Sequence, residues 1–156
     1  MIDEMDRRIV SLLQQDARLP NAEIARRVGM APSATLERLR KLEERGVIRG
    51  FTAILDPKLL GRDVTAFIAV GIDGSKFYPD FVDKARDHPE IMECHAVTGQ
   101  GSHLIKIRTR DTSTLERLLA EIQSWPGVHW TTTSIVLSSL KESTRLTVPP
   151  EAFTEE

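Results

Sequence analysis

Apolar residues in the first fifty positions recur at helical spacing. Met5, Ile9, Leu12 and Leu13 fall at i, i+4, i+7 and i+8, one face of a helix that Asp3 is placed to cap. Leu19-Pro20 stops that helix. Asn21 can cap a second, with Ala22, Ile24, Ala25 and Val28 on its apolar side. Gly29 ends it, because a helix C-terminus favours a residue that tolerates positive φ. A third helix opens near Pro32, whose missing N–H costs nothing in a first turn. It carries Leu36, Leu39 and Leu42 on one side and closes at Gly46.

The period then changes. Val47 to Leu55 alternates, with Phe51, Ala53 and Leu55 on one parity, and predicts a short strand running into a linker at Asp56-Pro57. Beyond it, strand-like segments at 64–72, 91–98, 103–109 and 128–140 interleave with helical spacing at 77–88 and 112–125, and Gly99-Gln100-Gly101-Ser102 forms a turn. The order β-α-β-β-α-β is that of a ferredoxin-like sandwich. The expected class is therefore α+β: a three-helix domain at 1–50, a β-linker at 51–61, a ferredoxin-like domain at 62–142, and a loose polar tail at 143–156.

Length changes this picture in one respect. The 156 residues allow two small domains, each marginal alone because small domains bury a lower fraction of their surface; support from the other half or from a second copy is expected. The longest apolar stretches, Ala66–Val70 and Ile135–Leu137, are far short of a bilayer span. The acidic start, Met1-Ile2-Asp3-Glu4, is unlike a secretion signal, so a cytoplasmic location is expected. Cys94 is alone, which excludes an intrachain disulfide.

Net charge is −2, unpromising for a nucleic-acid binder, but it is unevenly spread. Residues 21–50 hold seven basic and four acidic side chains, a local +3, while residues 51–156 sum to −4. The electrostatic footprint belongs to the segment.

Two helices joined by a tight glycine-containing turn are the helix-turn-helix pattern, whose second helix enters the major groove N-terminus first. That helix begins Pro32-Ser33-Ala34-Thr35. The expected DNA-facing set is Asn21, Arg26, Arg27, Ser33, Ala34, Thr35, Arg38, Arg40 and Lys41. Ser33, Thr35 and Arg38 are assigned to bases, and Arg26, Arg27, Arg40 and Lys41 to phosphates. On spacing alone, a solvated charged face or a three-helix docking module fits the same residues.

The residues themselves go further. Asn21-Ala22-Glu23-Ile24-Ala25-Arg26-Arg27-Val28-Gly29, then Leu36-Glu37-Arg38-Leu39-Arg40-Lys41-Leu42-Glu43-Glu44-Arg45-Gly46-Val47-Ile48, closely resemble the leucine-responsive/asparagine (Lrp/AsnC) regulators. Asp6-Arg7-Arg8-Ile9, Phe51-Thr52-Ala53-Ile54-Leu55-Asp56-Pro57, Glu93-Cys94-His95 and Pro126-Gly127-Val128 fall in the same order. The resemblance spans about residues 2–145. It implies a transcription regulator that binds double-stranded DNA, self-associates as dimers and often octamers, and senses an amino acid or other small effector. One small departure is Ala31, where the family commonly places Ser before the helix-starting Pro; Ser33 could cap instead.

The resemblance places the effector near the turn between the second and third strands, at an interface between subunits, and implies as its site Thr98, Gly99, Gln100, Gly101, Ser102, His103, Leu104, Thr131 and Thr133. The family's usual pattern there is Gly-Asp-x-Asp-aromatic-Leu; here it reads Gly99-Gln100-Gly101-Ser102-His103-Leu104. Both acidic positions are neutral, so the charge-assisted bond that best meets an α-ammonium is missing. An amino acid held by backbone carbonyls and Gln100, a different small molecule, and a purely structural assembly interface all remain open.

No enzyme, metal or cofactor is expected. His95, His103, His129 and Cys94 lack the paired short intervals of zinc motifs, and Gly99-x-Gly101 lacks the third glycine and following helix of a dinucleotide loop. Some haem-pathway decarboxylases resemble this family but tend to carry His-Arg after the linker strand; here those positions are Leu55-Asp56. A DNA-binding scaffold without sensing is the other alternative.

Overall fold

The computed structural model describes residues 2–148. They form two compact units, one grouping residues 2–54 with 142–148 and the other holding residues 55–141. No helix among the described residues is long and apolar enough to cross a membrane.

The N-terminal unit contains α1 (Glu4–Gln15), α2 (Asn21–Val28) and α3 (Pro32–Glu44). Asp3 caps α1 through a reciprocal box with Asp6, each side chain accepting from the other's backbone N–H at 2.9 and 3.2 Å. Gly29 ends α2 at φ 74°, a left-handed conformation that costs an L side chain steric strain. Ile9, Ile24, Val28 and Leu42 fill the centre. Arg8 reaches from α1 to the last carbonyls of α2, donating to Arg27 O at 2.9 Å and Val28 O at 3.5 Å, where a cation also complements the helix dipole.

Several expectations are corrected in this unit. Asn21 is the first residue of α2, not its cap; Pro20 holds the cap position without a side-chain bond. Ala31 caps α3, also without a side-chain bond, and Ser33 does not substitute for it. Leu36 does not share the buried side of α3. Thr35, Leu39 and Leu42 face inward instead, and Leu36 is 56% exposed. The i, i+4, i+7 set beginning at 35 and the i, i+3, i+6 set beginning at 36 both suit a helix face, and spacing cannot separate them. The tail expected to be loose is docked over 142–148: Gln14 Nε2 donates to Leu146 O at 2.9 Å, Leu146 N donates back to Gln14 Oε1 at 2.7 Å, and Val148 packs on the helical core. The remainder of that tail, 149–156 with Pro149-Pro150, lies outside the described residues.

The strand expected over 47–55 does not form. Residues 50–56 have no regular secondary structure and 57–61 are turns. A strand needs a neighbour for its N–H and C=O groups, and none of the four strands pairs with this segment.

The second unit runs β1 (Val64–Ile72), a 3₁₀ turn (Ser75–Phe77), α4 (Tyr78–Asp87), β2 (Ile91–Ala96), β3 (His103–Thr109), α5 (Thr112–Gln123) and β4 (Val128–Ile135). The strands form one antiparallel sheet in the order β2-β3-β1-β4. The expected β-α-β-β-α-β sandwich is thus formed, with β4 ending at Ile135 rather than Leu140 and β2 at Ala96 rather than Thr98. Ala66, Ile68 and Val70 of β1 and Ile105 and Ile107 of β3 bury one sheet face against Phe81 and Ala85 of α4 and Leu115, Leu118 and Ile122 of α5. The two-residue period puts Phe67, Ala69, Gly71, Leu104, Lys106, Trp130 and Thr132 on the opposite, open face.

Asp111 caps α5. Its Oδ1 accepts from the Thr114 N–H and hydroxyl, each at 2.7 Å. These bonds, with Arg110 adjacent, hold its carboxyl at about 2, below the ordinary 3.8. The folded pKa is the lower one, so the capping contribution is complete above about pH 4 and fades as pH falls toward 2. Asp111→Ala should therefore melt below the wild type at pH 7, with the gap closing between pH 4 and 2. A gap constant across that range in thermal melts would show that the carboxylate charge is not what caps the helix.

Candidate functional site: the helix-turn-helix face and the β2–β3 turn

At the N-terminus of α3, Ser33, Ala34 and Leu36 project outward, and Glu37, Arg40 and Lys41 follow on exposed positions. Hydroxyl, methyl and isobutyl groups at the tip of a helix suit base edges, with basic groups along its length for phosphates. The basic residues are held in exposed pairs: Arg26 and Arg27 with Glu23 at 2.7 and 2.6 Å, Lys41 with Glu37 at 3.4 Å, and Arg40 with Glu37 and Glu44. Two guanidiniums on one carboxylate keep Glu23 at about 2. Exposed pairs of this kind stabilise little, so a phosphate can displace the carboxylates at low cost.

Two expected base contacts are withdrawn from this face. Thr35 is fully buried and its hydroxyl donates to Ala31 O at 3.1 Å. Arg38 turns back toward α1, its Nη1 donating to Asp3 Oδ2 at 2.5 Å and Asp6 Oδ1 at 2.8 Å. The Asp6 amide, then Arg38, keep the Asp3 carboxyl below its ordinary range. Arg38 thus ties the reading helix to α1. Asn21 has a similar structural part: its Nδ2 donates to Pro32 O at 2.8 Å, joining the starts of α2 and α3, while its buried Oδ1 has no partner among the described residues.

Arg38→Ala leaves the Asp6 carboxylate, only 6% exposed, without its cation. Removing one partner of a buried pair costs several kcal/mol, but Arg38 is a third exposed, so a loss of about 1–2 kcal/mol in stability is expected. The ratio of specific to random DNA affinity should stay unchanged in competition binding. A collapse of that ratio would restore Arg38 as a base contact.

In the second unit the β2–β3 turn folds against β1. Val97 N donates to Ser102 O at 3.0 Å, and Ser102 N donates to Val70 O at 2.9 Å. Thr98, Gly99 and Gln100 are exposed at its tip. Gly101 sits at φ 86°, where a β-carbon would lie 2.8 Å from Val70 O and 3.2 Å from Trp130 Cη2. Trp130 covers Gly71 across the strand pair, where a β-carbon would lie 2.2 Å from its Nε1. Glycine opposite an aromatic in a sheet is a known accommodation, and it seats the indole on the open face beside the turn.

The residues expected to line this turn do not all share a face. His103 points into the core, 2% exposed, between the rings of Tyr78 and Phe81 with centroids 4.8 and 5.0 Å away. Burial pushes its pKa below the ordinary 6.5. Its Nδ1 lies 3.0 Å from Ser102 Oγ, and that hydroxyl is also 3.3 Å from Val70 O. Thr131 and Thr133 pair with Val70 and Ile68 and so lie on the helix side of edge strand β4; Thr131 Oγ1 accepts from Gln123 Nε2 at 2.8 Å. Leu104 is on the open face. Gly71 and Thr132 are the open-face residues near the turn that sequence reasoning missed, while Trp130, expected to face a partner or an edge, lies on edge strand β4 opposite Gly71; the one available signal was a glycine breaking the strand pattern of β1.

Two family descriptions match the chain: Winged helix-turn-helix DNA-binding over residues 2–49, and Lrp/AsnC ligand binding domain over residues 65–146. The HTH-type transcriptional regulator FL11 of Pyrococcus horikoshii is 42% identical over 147 residues, covering 94% of this chain and 97% of its own length. The leucine-responsive regulatory protein of Escherichia coli K12 is 37% identical over 150 residues, with coverages of 94% and 92%. A transcriptional regulator from Neisseria meningitidis, solved as a complex with L-methionine, superposes with a TM-score of 0.88 at 33% identity over 94% of this chain and 97% of that one. A feast or famine regulatory protein from Mycobacterium tuberculosis, complexed with L-methionine, gives 0.88 at 31% identity, with coverages of 96% and 100%. With a DNA-binding helix-turn-helix at one end and a ligand-binding sandwich at the other, this chain belongs to the Lrp/AsnC family of transcription regulators.

Proposed function

We propose that this regulator reads duplex DNA with the outward tip of α3, works as a dimer or an assembly of dimers, and responds to an amino-acid effector at the β2–β3 turn. The tip of α3 carries the reading. Ser33, Ala34 and Leu36 meet base edges, with Leu36 suited to a thymine methyl, while Arg26, Arg27, Arg40 and Lys41 meet phosphates.

The exposed apolar surface supports self-association. Ile54, Leu55, Leu59 and Leu60 in the linker are well exposed, and Phe67 and Trp130 on the open sheet face are partly so; apolar exposure on this scale marks an interaction surface. A second copy's linker would supply the hydrogen-bonding partner that residues 50–56 lack.

For the effector, the solved relatives bound to L-methionine support an amino acid. Here Gln100 and Ser102 stand where the family has acids, so the α-ammonium meets neutral acceptors, backbone carbonyls and the Gln100 side chain. Neutral bonds are roughly half as strong as charge-assisted ones, and affinity should be correspondingly modest.

A gel shift on the gene's own upstream region, at two salt concentrations and with an amino-acid panel, tests all three parts when paired with sedimentation. Affinity should fall steeply with salt, and Arg40→Ala/Lys41→Ala should reduce the slope by about 2 and weaken every duplex alike. Leu36→Ala should cut specific over random binding by about 1 kcal/mol. Salt-insensitive binding would sink the DNA reading. A monomer at working concentration would sink the assembly, and an amino-acid panel without effect on DNA binding or heat of mixing would sink the sensing role.

A further inference from the structure

Apart from the β2–β3 turn, the second unit has a cleft of about 420 Å³ bounded by Gly61, Arg62, Glu90, Arg110, Thr114 and Arg117. Three guanidiniums face one carboxylate. Glu90 is occupied: it accepts from Thr109 Oγ1 at 2.9 Å and pairs with Arg62 at 3.1 Å. Arg110 is anchored beside the cap residue Asp111 at 3.0 Å, and Arg117, about one helical turn beyond Thr114 on α5, has no ion-pair partner among the described residues. Thr114 belongs to the first turn of α5, so the positive end of the helix dipole adds to the same side.

The geometry points to a phosphate-binding cleft here, in which Arg110 and Arg117 grip a phosphate from two sides and Arg62, oriented by Glu90, closes the third. Planar guanidinium forks match phosphate oxygens in pairs. Pairing Glu90 with Arg62 and Thr109 commits its charge to positioning and leaves the mouth of the cleft cationic, in a domain whose segment charge is otherwise acidic. The phosphate can come from a free anion or from a DNA backbone passing this flank. Neither source depends on the β2–β3 turn or on α3.

Two assays on the full chain separate the sources. Inorganic pyrophosphate is titrated calorimetrically into the wild type, Arg117→Gln, Arg110→Ala/Arg117→Ala and Lys41→Ala, with thermal melting to verify that each variant is folded. Binding of a random-sequence duplex by the same proteins is measured against salt, with Lys41→Ala for comparison. Pyrophosphate binding that weakens roughly tenfold or more in the double variant, and is untouched by Lys41→Ala, assigns the cleft to a free anion. A salt slope reduced by about 1 in Arg117→Gln and about 2 in the double variant assigns it to the DNA backbone. If neither pyrophosphate affinity nor salt slope differs from wild type in the folded variants, the proposal is overturned. The pyrophosphate arm requires no DNA, so its outcome is independent of whether α3 reads DNA.

Discussion

Phe81→Ala is expected to destabilise the ligand-binding domain by about 3–5 kcal/mol, the range for deleting a fully buried aromatic side chain. Phe81 is the largest fully buried side chain in the chain's described residues. It lies between β3 and the end of α5, with the His103 ring at 5.0 Å and the Trp125 ring at 5.5 Å. Truncation removes the transfer energy of the ring and leaves a void between two aromatic neighbours that cannot both move into it. It also brings the His103 imidazole next to a cavity large enough to admit water. Both tryptophans, Trp125 and Trp130, belong to this unit, so denaturant unfolding followed by intrinsic fluorescence reports it selectively. A loss of about 1 kcal/mol or less would mean that the helices collapse onto the sheet and heal the site.

Gly101→Val should cost about 3 kcal/mol, the sum of a left-handed backbone held by a β-branched residue and a collision in a packed turn. The collision is with main chain: the β-carbon would approach Val70 O, the same atom that accepts from Ser102 N. Relief requires the turn to lift off β1, breaking that bond and unseating Trp130. Any response to an effector should vanish with it. Binding to random DNA should persist, because α3 belongs to the other unit. Denaturant unfolding gives the stability change, and a variant within about 0.5 kcal/mol of wild type would show that the turn adapts without cost.

Much of the local structure could be read from residue order. Asp3 before the 5-9-12-13 stripe marks a cap and an apolar face, and both exist because capping and helical period act within one or two turns. The six elements of the sandwich follow from the alternation of periods two and 3.6. The same logic failed where a residue's fate depends on something distant in sequence. Local order suits Arg38 to a base contact, but Asp3 and Asp6, over thirty residues earlier, hold its guanidinium against α1. His103 looked like a ligand contact, but strand parity and the rings of α4 draw it into the core.

Residue order carries which stretches are helical, which half is basic and which family the chain resembles, since these are local patterns or ordered motifs, but not every helix end: α1 stops at Gln15, four residues before the expected Leu19-Pro20. The tertiary structure alone decided which side of each element faces outward. It exchanged Thr35 for Leu36 on the reading helix, placed Thr131 and Thr133 behind the sheet with Trp130 in front, and docked residues 142–148 on α1. The physical reason is common to all of these: a side chain's exposure is set by packing and by partners remote in sequence, and one residue's shift of register inverts it.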